Sequence, residues 1–229
     1  MPIVCVNQPY FLPYIGYFIM ADKSNCFVMY DDVKFVKSGW IHRNRVKSSK
    51  QGEFYISLPL IKSSDYDNIG DKKISTEWPK FKQKLKNKVV NEYRHEEYFD
   101  ETLDLFLSIL DIQSSCLFDF VKESNEILFK YLSIETEIVV SSQIKPNESK
   151  LTGEKRLIEL IRETGYSHYI NLPGGKSLYD SQTFMSEYGI KLDFVDVGVN
   201  ITKLEDWNLS IFHLLFKLGR EKVVELIKS

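Results

Sequence analysis

Hydrophobic positions at the start of the chain change from a continuous run to a helical spacing and back to a run. Residues 2–6 are a β-branched apolar run that ends at a polar turn, which predicts a buried strand. Residues 14–22 place apolar side chains on one face of a helix, and residues 26–30 are a second apolar run. Strand, helix and strand within about 30 residues predict a βαβ unit with parallel strands.

The middle of the chain is polar at first and then becomes helical. Residues 33–51 are polar and basic, and we interpret them as a long functional loop that returns to the sheet through a strand at residues 54–58. A further short strand is predicted at residues 73–76. From residue 78 to about residue 132 the spacing is helical, with Pro79 in the first turn, and it predicts three helices.

The last part of the chain again alternates strands and helices. The predicted elements are a strand at 135–141, a helix at 152–163, a strand at 167–171, a helix at 181–188, a strand at 191–195, and helices at 209–216 and 221–227. The fold class that follows is α/β, with an N-terminal βαβ unit, a mainly parallel sheet, a helical segment in the middle and a second strand-helix-strand unit near the C-terminus. We expect one α/β domain over residues 1–229, with a helical subdomain at about 78–133.

Composition narrows the class of partner. Hydrophobic residues make up 43% of the 229-residue chain, which is ample for a globular core. The chain has 30 basic and 32 acidic side chains and a net charge of −2, so the whole molecule has no field that would favour nucleic acid as its main target. Any anion must therefore be bound by a local basic cluster.

Cysteine usage and the lengths of the apolar runs indicate the compartment. The three cysteines are far apart in the sequence and lack C-x-x-C spacing, which indicates a reducing environment. No apolar stretch approaches the roughly 18 residues of a spanning helix, so neither membrane insertion nor secretion is expected. We therefore expect a cytoplasmic protein.

Candidate chemistry begins where the first predicted strand ends. Asn7 and Gln8 stand before Pro9 at the carboxyl end of that strand, and Tyr14 opens the predicted helix. A rigid backbone there would hold the two carboxamides beside helix N–H groups, which attract anions. These residues are therefore candidate ligand-binding residues. A proline-rich turn whose polar groups satisfy each other is the alternative, and the sequence leaves it open.

A charged segment follows the second predicted strand. Asp31 and Asp32 end that strand, and paired carboxylates can act as a base, hold a metal or bind sugar hydroxyls. The next residues combine cations with one tryptophan and one histidine, and the candidates among them are Lys37, Trp40, His42, Arg43, Asn44 and Arg45. Cations and carboxylates together favour a nucleotide-linked substrate, with the cations on its pyrophosphate. A surface ion-pair network around a loop is the alternative.

A third group of candidates comprises Asn171, Gly174, Gly175 and Lys176, at the end of the strand predicted for residues 167–171. Backbone N–H groups of a glycine turn can cradle a phosphate or an oxyanion, although an ordinary strand-to-helix turn has the same sequence features. The four histidines show neither an i, i+4 pair nor an H-E-x-x-H pattern. The sequence therefore predicts no metal site.

Three segments of the chain resemble the WbqC-like family of bacterial proteins. They read N-Q-P-Y-F-L-P-Y-I-G-Y-F from Asn7, D-D-V-K-F-V-K-S-G-W-I-H-R-N-R-V-K from Asp31 and N-L-P-G-G-K-S-L-Y-D from Asn171. Members of this family are typically encoded with surface-polysaccharide genes such as O-antigen clusters. The first motif of the family usually reads His-Gln-Pro, so Asn7 stands in the place of a histidine.

The resemblance implies a role in surface-polysaccharide biosynthesis. We expect an enzyme that modifies a nucleotide-linked amino sugar, by N-acyl or aminoacyl transfer to the sugar amine. Such a transfer needs a base and hydrogen-bond donors for the developing oxyanion. The candidate bases are His42 and Asp32, and Gln8 with the backbone at Gly174 and Gly175 would contact the carbonyl. The expected co-substrate is an activated acyl or aminoacyl donor, and no other cofactor is identified. A noncatalytic nucleotide-sugar or glycan-binding subunit is the alternative.

Overall fold

The computed structural model describes residues 1–48, 50 and 52–229, and a parallel sheet forms its centre. In this part of the chain the strands are β1 (Ile3–Asn7), β2 (Cys26–Met29), β3 (Arg43–Ser48), β4 (Gly52–Ser57), β5 (Glu137–Val140), β6 (His168–Asn171) and β7 (Lys191–Phe194). The helices are α1 (Ile15–Asp22), α2 (Trp78–Tyr93), α3 (Phe99–Leu110), α4 (Leu117–Tyr131), α5 (Ser141–Ile144), α6 (Gly153–Glu163), α7 (Ser181–Tyr188), α8 (Val199–Thr202) and α9 (Ile211–Lys228). Short 3₁₀ turns occupy Ile69–Asp71 and Pro173–Ser177.

The order of the parallel strands contains one reversal, in the middle of the sheet. The order is β5-β2-β1-β6-β7, and every neighbouring pair is parallel. From β1 the chain moves outward through β2 to β5, returns to the other side of β1 at β6, and moves outward again to β7. In doubly wound sheets, ligands bind beyond the carboxyl ends of the strands that flank such a reversal. Those strands are β1 and β6 in this protein.

Helices cover both faces of the sheet, and this explains why its central strands are apolar throughout. Val4 and Val6 of β1 belong to a buried cluster that includes Leu157 of α6 and Phe184 of α7. Cys5, which lies between the two valines, belongs to a larger cluster formed with α1, α4 and α9. Strands that are buried on both faces read as continuous apolar runs, and such runs identified β1 and β2 in the sequence.

The predicted α/β class, the parallel N-terminal βαβ unit and the later strand-helix-strand unit are confirmed. The three helices predicted after residue 78 are α2, α3 and α4. The two helices predicted at the C-terminus form α9, which is interrupted at Gly219, where φ is 72°. A Cβ at Gly219 would lie 2.6 Å from the ring of Tyr98, so glycine is required there. No helix among residues 1–48, 50 and 52–229 combines the length and apolar character needed to cross a bilayer.

The segment that follows β2 differs from the prediction. β3 and β4 form an antiparallel hairpin separate from the main sheet, so residues 54–58 do not return to that sheet and residues 43–48 are not part of a loop. Alternate residues of β3, namely Asn44, Val46 and Ser48, are buried. Two of these three side chains are polar. Because the buried positions are mostly polar, the alternation is not visible as a hydrophobic pattern in the sequence.

Residues 73–76 make isolated bridges instead of the predicted strand. Leu60 bridges Ile74, and Lys73 bridges Cys116. The segment therefore ties the loop after β4 to the start of α4 without joining either sheet. Its short pattern around the buried Ile74 resembles a strand in the sequence, but no neighbouring strand is available to pair with it along its length.

A buried arginine ties the carboxyl end of β2 to the helices that follow β5. Arg156 of α6 is fully buried, and its guanidinium donates hydrogen bonds to Asp32 and to the Lys145 carbonyl at 2.6 Å each, and to Glu159. Asp32 also accepts a hydrogen bond from the Ser141 hydroxyl at 2.6 Å. A guanidinium stays charged in proteins, so its burial requires fixed anionic or carbonyl partners.

The neighbouring carboxylate of Asp31 binds the start of α5. It shares the Ser141 hydroxyl with Asp32, at 2.8 Å, and accepts a hydrogen bond from the Ser142 amide at 3.0 Å. The two aspartates predicted as candidate site residues are therefore engaged in joining β2, α5 and α6.

Replacing Asp32 by alanine would leave the Arg156 guanidinium buried without its aspartate partner. We expect the free energy of unfolding to fall by about 3–5 kcal/mol, the range for breaking a buried ion pair from one side. The double variant, Asp32→Ala with Arg156→Met, removes the unpaired charge and should lose less stability than the sum of the two single variants. Urea unfolding of the four proteins measures this coupling, and additive losses would contradict it.

Candidate functional site

A cavity of about 720 Å³ lies beyond the carboxyl ends of β1 and β6, where the strand order reverses. We call it the switch-point cavity. The polar and aromatic residues of its described lining are Asn7, Gln8, Tyr10, Tyr14, Tyr30, Trp40, Asn44, Arg45, Tyr169, Asn171, Tyr179, Trp207 and Asn208. Its volume falls in the range of roughly 300–1,000 Å³ that is typical of small-molecule sites.

Two asparagines end the two central strands in the same way. The side-chain oxygen of Asn7 accepts the Gln8 amide at 2.8 Å, and that of Asn171 accepts the Leu172 amide at 2.7 Å. In each case a proline follows two residues after the asparagine. Because β1 and β6 are paired, these two turns lie side by side at the cavity. Each asparagine oxygen is used inside the protein, and each NH₂ group is left as a donor.

Close packing and a backbone hydrogen bond hold the turns around the cavity in place. A Cβ at Gly175 would lie 2.3 Å from the side-chain nitrogen of Asn171, so glycine allows this carboxamide to fold against the turn. On the other side, the Phe11 amide donates to the Trp40 carbonyl at 3.0 Å. This bond fixes the loop after β2 against the turn that follows β1.

Gln8 differs from the two asparagines. Its backbone carbonyl accepts a hydrogen bond from the Tyr17 hydroxyl at 3.2 Å, whereas its side chain has no hydrogen-bond partner among the described residues. The carboxamide of Gln8 therefore lines the cavity with both donor and acceptor capacity available to a ligand.

Tyrosines and tryptophans supply seven of the 21 residues of the described lining. The rings of Tyr14 and Trp207 pack with their centroids 6.0 Å apart, and a Cβ at Gly16 would lie 2.5 Å from the Tyr14 ring. Burial raises the pKa of Tyr14 to about 12 and also raises the pKa of Tyr10. Both phenols therefore stay protonated near neutral pH, where they can donate hydrogen bonds but cannot act as bases.

Arg45 is the one charged side chain in the described lining of the switch-point cavity. Its guanidinium lies 5.1 Å from the centroid of the Trp40 ring and forms an ion pair with Glu53 at 2.8 Å. The Nε atom of Arg45 is buried and has no hydrogen-bond partner among the described residues. Because the Arg45 side chain is partly exposed, its guanidinium can meet one anionic group of a ligand.

The structure divides the predicted site residues among different environments. The switch-point cavity is lined by Asn7, Gln8, Tyr14, Trp40, Asn44, Arg45, Asn171, Gly174 and Gly175. Lys37 and His42 line a different cavity of about 1190 Å³, which we call the basic cavity and whose walls come from residues 34–37, 42, 57–65 and 72. Asp31, Asp32, Arg43 and Lys176 line neither.

The side chains of Arg43 and Asn44 donate hydrogen bonds to backbone carbonyls of the protein itself. Arg43 donates to the carbonyls of Gly39 and Ser38 at 3.3 and 2.8 Å, so its guanidinium closes its own loop. Asn44 is buried and donates to the carbonyls of Phe11 and Leu12. Lys176 is exposed and lies over the Phe194 ring at 5.8 Å.

Several lining residues were not among the sequence candidates. Tyr30 directly follows β2, and this position at the carboxyl end of a strand was the only local sign that it lines the cavity. Trp207 and Asn208 lie more than a hundred residues away from the other lining segments of the N-terminal half. They reach the cavity because the Ser210 amide donates to the Arg45 carbonyl at 2.9 Å and the Ile211 amide donates to the Pro13 carbonyl at 2.8 Å. Such contacts have no signature in the local sequence pattern.

The environment of His42 predicts a specific pH dependence of stability. Burial, reinforced by the positive charges of Arg43 and Lys37, lowers the pKa of His42 from its usual 6.5 to about 4. Between these two pH values the unfolded chain binds more protons at this residue than the folded chain, so protonation destabilises the fold as the pH falls. His42→Gln should lose less stability than the parent protein between pH 6.5 and 4, as measured by urea midpoints. Identical pH profiles would contradict a neutral, buried His42.

Comparisons with known proteins give a family but not an activity. The WbqC-like protein family matches residues 8–225 of the chain. An uncharacterized protein of Mycobacterium tuberculosis, Rv1507c, is 27% identical over 229 residues, which cover 96% of each chain. No solved structure matches. The chain therefore belongs to the WbqC-like protein family.

Proposed function

We propose that the protein binds a nucleotide-linked amino sugar in the switch-point cavity and serves as a noncatalytic sugar-binding partner in surface-polysaccharide biosynthesis. The observation that carries this proposal is the lining itself, which combines aromatic rings and carboxamides with a single cation at the carboxyl ends of β1 and β6. Each of these groups has a counterpart in the proposed ligand.

The aromatic rings suit the flat faces of a nucleobase or a sugar ring. Trp40, Trp207 and Tyr14 bring large apolar surfaces to the same cavity as polar donors and acceptors. The side chains of Asn7, Gln8 and Asn171 can bond to hydroxyl or carbonyl groups without adding charge.

Arg45 supports recognition of the diphosphate. Its guanidinium is partly exposed at the cavity, and a phosphate oxygen is a strong acceptor for a guanidinium N–H. Glu53 already pairs with the same side chain, so the ligand would share the guanidinium with this carboxylate or displace it. One cation is enough to orient a diphosphate that is also held through its base and sugar.

Family membership supports the polysaccharide context of the proposal. WbqC-like proteins are typically encoded with surface-polysaccharide genes, in which sugars are activated as nucleotide conjugates before assembly. The compartment of such activation is the cytoplasm of a bacterium. The Mycobacterium tuberculosis relative is uncharacterized and adds no activity to this context.

N-acyl or aminoacyl transfer is the second candidate function. In that reaction the sugar amine attacks the carbonyl of an activated donor, a C–N bond forms, the bond to the leaving group breaks, and a base takes the ammonium proton. The free carboxamide of Gln8 favours this reaction because it could donate to the developing oxyanion.

The missing component of this second candidate is the base. The described lining contains no histidine, cysteine, lysine, aspartate or glutamate. His42 lines the basic cavity instead, and Asp32 is bound to Arg156 and Ser141. Binding without catalysis is therefore the function that the geometry favours.

Arg45→Met should weaken the binding of a dTDP-linked amino sugar by roughly 10- to 100-fold, because a hydrogen bond to a charged group contributes roughly 1.5–3 kcal/mol. Trp40 and Trp207 line the cavity, so quenching of intrinsic fluorescence reports occupancy directly. Arg94→Met is the matched control, since Arg94 is exposed and lines neither cavity. Equal losses in the two variants, or no binding by the parent protein, would overturn the proposal.

Mass spectrometry separates the two candidate functions. We expect that the protein incubated with a dTDP-linked amino sugar and an acyl-CoA or aminoacyl donor leaves the mass of the sugar unchanged, because the described lining has no base. A gain equal to the acyl group, reduced when Gln8 is replaced by alanine, would contradict the noncatalytic role and identify the protein as the transferase.

A further inference from the structure

The segment after β2 contributes residues to both the switch-point cavity and the basic cavity. Trp40 and Arg45 line the switch-point cavity, whereas Lys37 and His42 line the basic cavity. The basic cavity is also bounded by Lys34, Lys62 and Lys72. Its positive lining is local, because the whole chain has a net charge of −2.

Lys72 is the structural cation of this cavity. It is buried, and its ammonium donates to the Ser63 hydroxyl at 2.9 Å, the Ser64 carbonyl at 2.6 Å and the Asp67 carboxylate at 3.2 Å. An ammonium has three protons, so these acceptors use all of its donors. Lys72 therefore holds the wall of the cavity and is not available to a ligand.

The other lysines have no such partners. Lys34, Lys37 and Lys62 are exposed, and none of them forms an ion pair within residues 1–48, 50 and 52–229. Lys34 lies over the Tyr66 ring at 4.9 Å. Asp65 is the one carboxylate in the described lining, and Lys72 is neutralised by its ion pair with Asp67. The other three lysines therefore exceed the carboxylate by two positive charges. A concave surface with such an excess attracts anions.

His42 adds an uncharged polar group to the same wall. Its ring packs against Phe35 with centroids 5.4 Å apart, and its Nδ1 atom is buried without a hydrogen-bond partner among the described residues. A buried polar atom without a partner is unfavourable unless a ligand or a water molecule satisfies it. Burial also lowers the pKa of His42 to about 4, so the ring is neutral near pH 7.

We infer that the basic cavity is a second ligand site, which binds a phosphorylated small molecule through the ammonium groups of Lys34, Lys37 and Lys62. Phosphate fits this lining because lysine ammonium groups act as point charges for phosphate oxygens, and a ligand of several negative charges is needed to balance the excess. The volume of about 1190 Å³ leaves room for an organic group as well as the phosphates. This ligand is distinct from the sugar conjugate proposed for the switch-point cavity.

Inorganic pyrophosphate is the probe for this site, and isothermal titration calorimetry at low and high salt is the measurement. The double variant Lys37→Gln with Lys62→Gln should bind pyrophosphate at least about tenfold more weakly than the parent protein, because two of the three available cations are lost. The matched control is Lys80→Gln with Lys155→Gln, which removes the same charge from exposed positions outside both cavities. Binding should weaken at high salt in the parent protein.

Three results would overturn the inference. The first is equal weakening in the two double variants, which would show a response to net charge alone. The second is loss of pyrophosphate binding in Arg45→Met and not in Lys37→Gln with Lys62→Gln, which would assign the anion to the switch-point cavity. The third is absence of pyrophosphate binding by the parent protein. If a triglutamate peptide binds instead, the cavity recognises carboxylates and not phosphates.

The same variants keep this inference separate from the proposed function. Lys37→Gln with Lys62→Gln should leave the affinity for the dTDP-linked amino sugar unchanged, because neither lysine lines the switch-point cavity. Since the two ligands are titrated independently, failure of sugar binding and failure of pyrophosphate binding are distinct outcomes. Retained folding of each variant is checked by its thermal midpoint.

Discussion

The burial of the Arg156 guanidinium is the constraint on which the carboxyl edge of the sheet depends. Because this group cannot lose its charge, Asp32 after β2, the Lys145 carbonyl after α5 and Glu159 on α6 must all stay in place around it. The next residue of α6, Leu157, lines the switch-point cavity. The network therefore fixes one wall of the candidate site. It also engages the carboxylate of Asp32, which the sequence indicated as a candidate base.

The candidate site is built mainly from uncharged groups. Asn7 and Asn171 end adjacent strands and use their side-chain oxygens to cap the next amide, so each contributes an NH₂ group to the cavity. A carboxamide carries no titratable proton, so Asn7 supplies no base at the end of β1. Tyr10 and Tyr14, whose pKa values are raised by burial, supply none near neutral pH. The lining thus favours recognition over proton transfer.

Local sequence patterns predicted the elements whose burial follows a simple period. Runs of apolar residues identified β1 and β2, and helical spacing identified α2 to α4. The hairpin of β3 and β4 was not predicted, because Asn44 and Ser48 are buried where apolar residues would be expected. The candidate segment after β2 was predicted, but its division between two cavities was not. Trp40 lines one cavity and His42 the other because of contacts that join distant parts of the chain. The hydrogen bond between the Phe11 amide and the Trp40 carbonyl is one of these contacts.

A crystal structure of the protein soaked with a dTDP-linked amino sugar would show whether the switch-point cavity holds a nucleotide-linked sugar. We expect density for the ligand beyond the carboxyl ends of β1 and β6, with the diphosphate at Arg45 and the sugar or base against Trp40 and Trp207. A ligand found only in the basic cavity, or only along the lysine-rich surface of α2, would contradict this expectation.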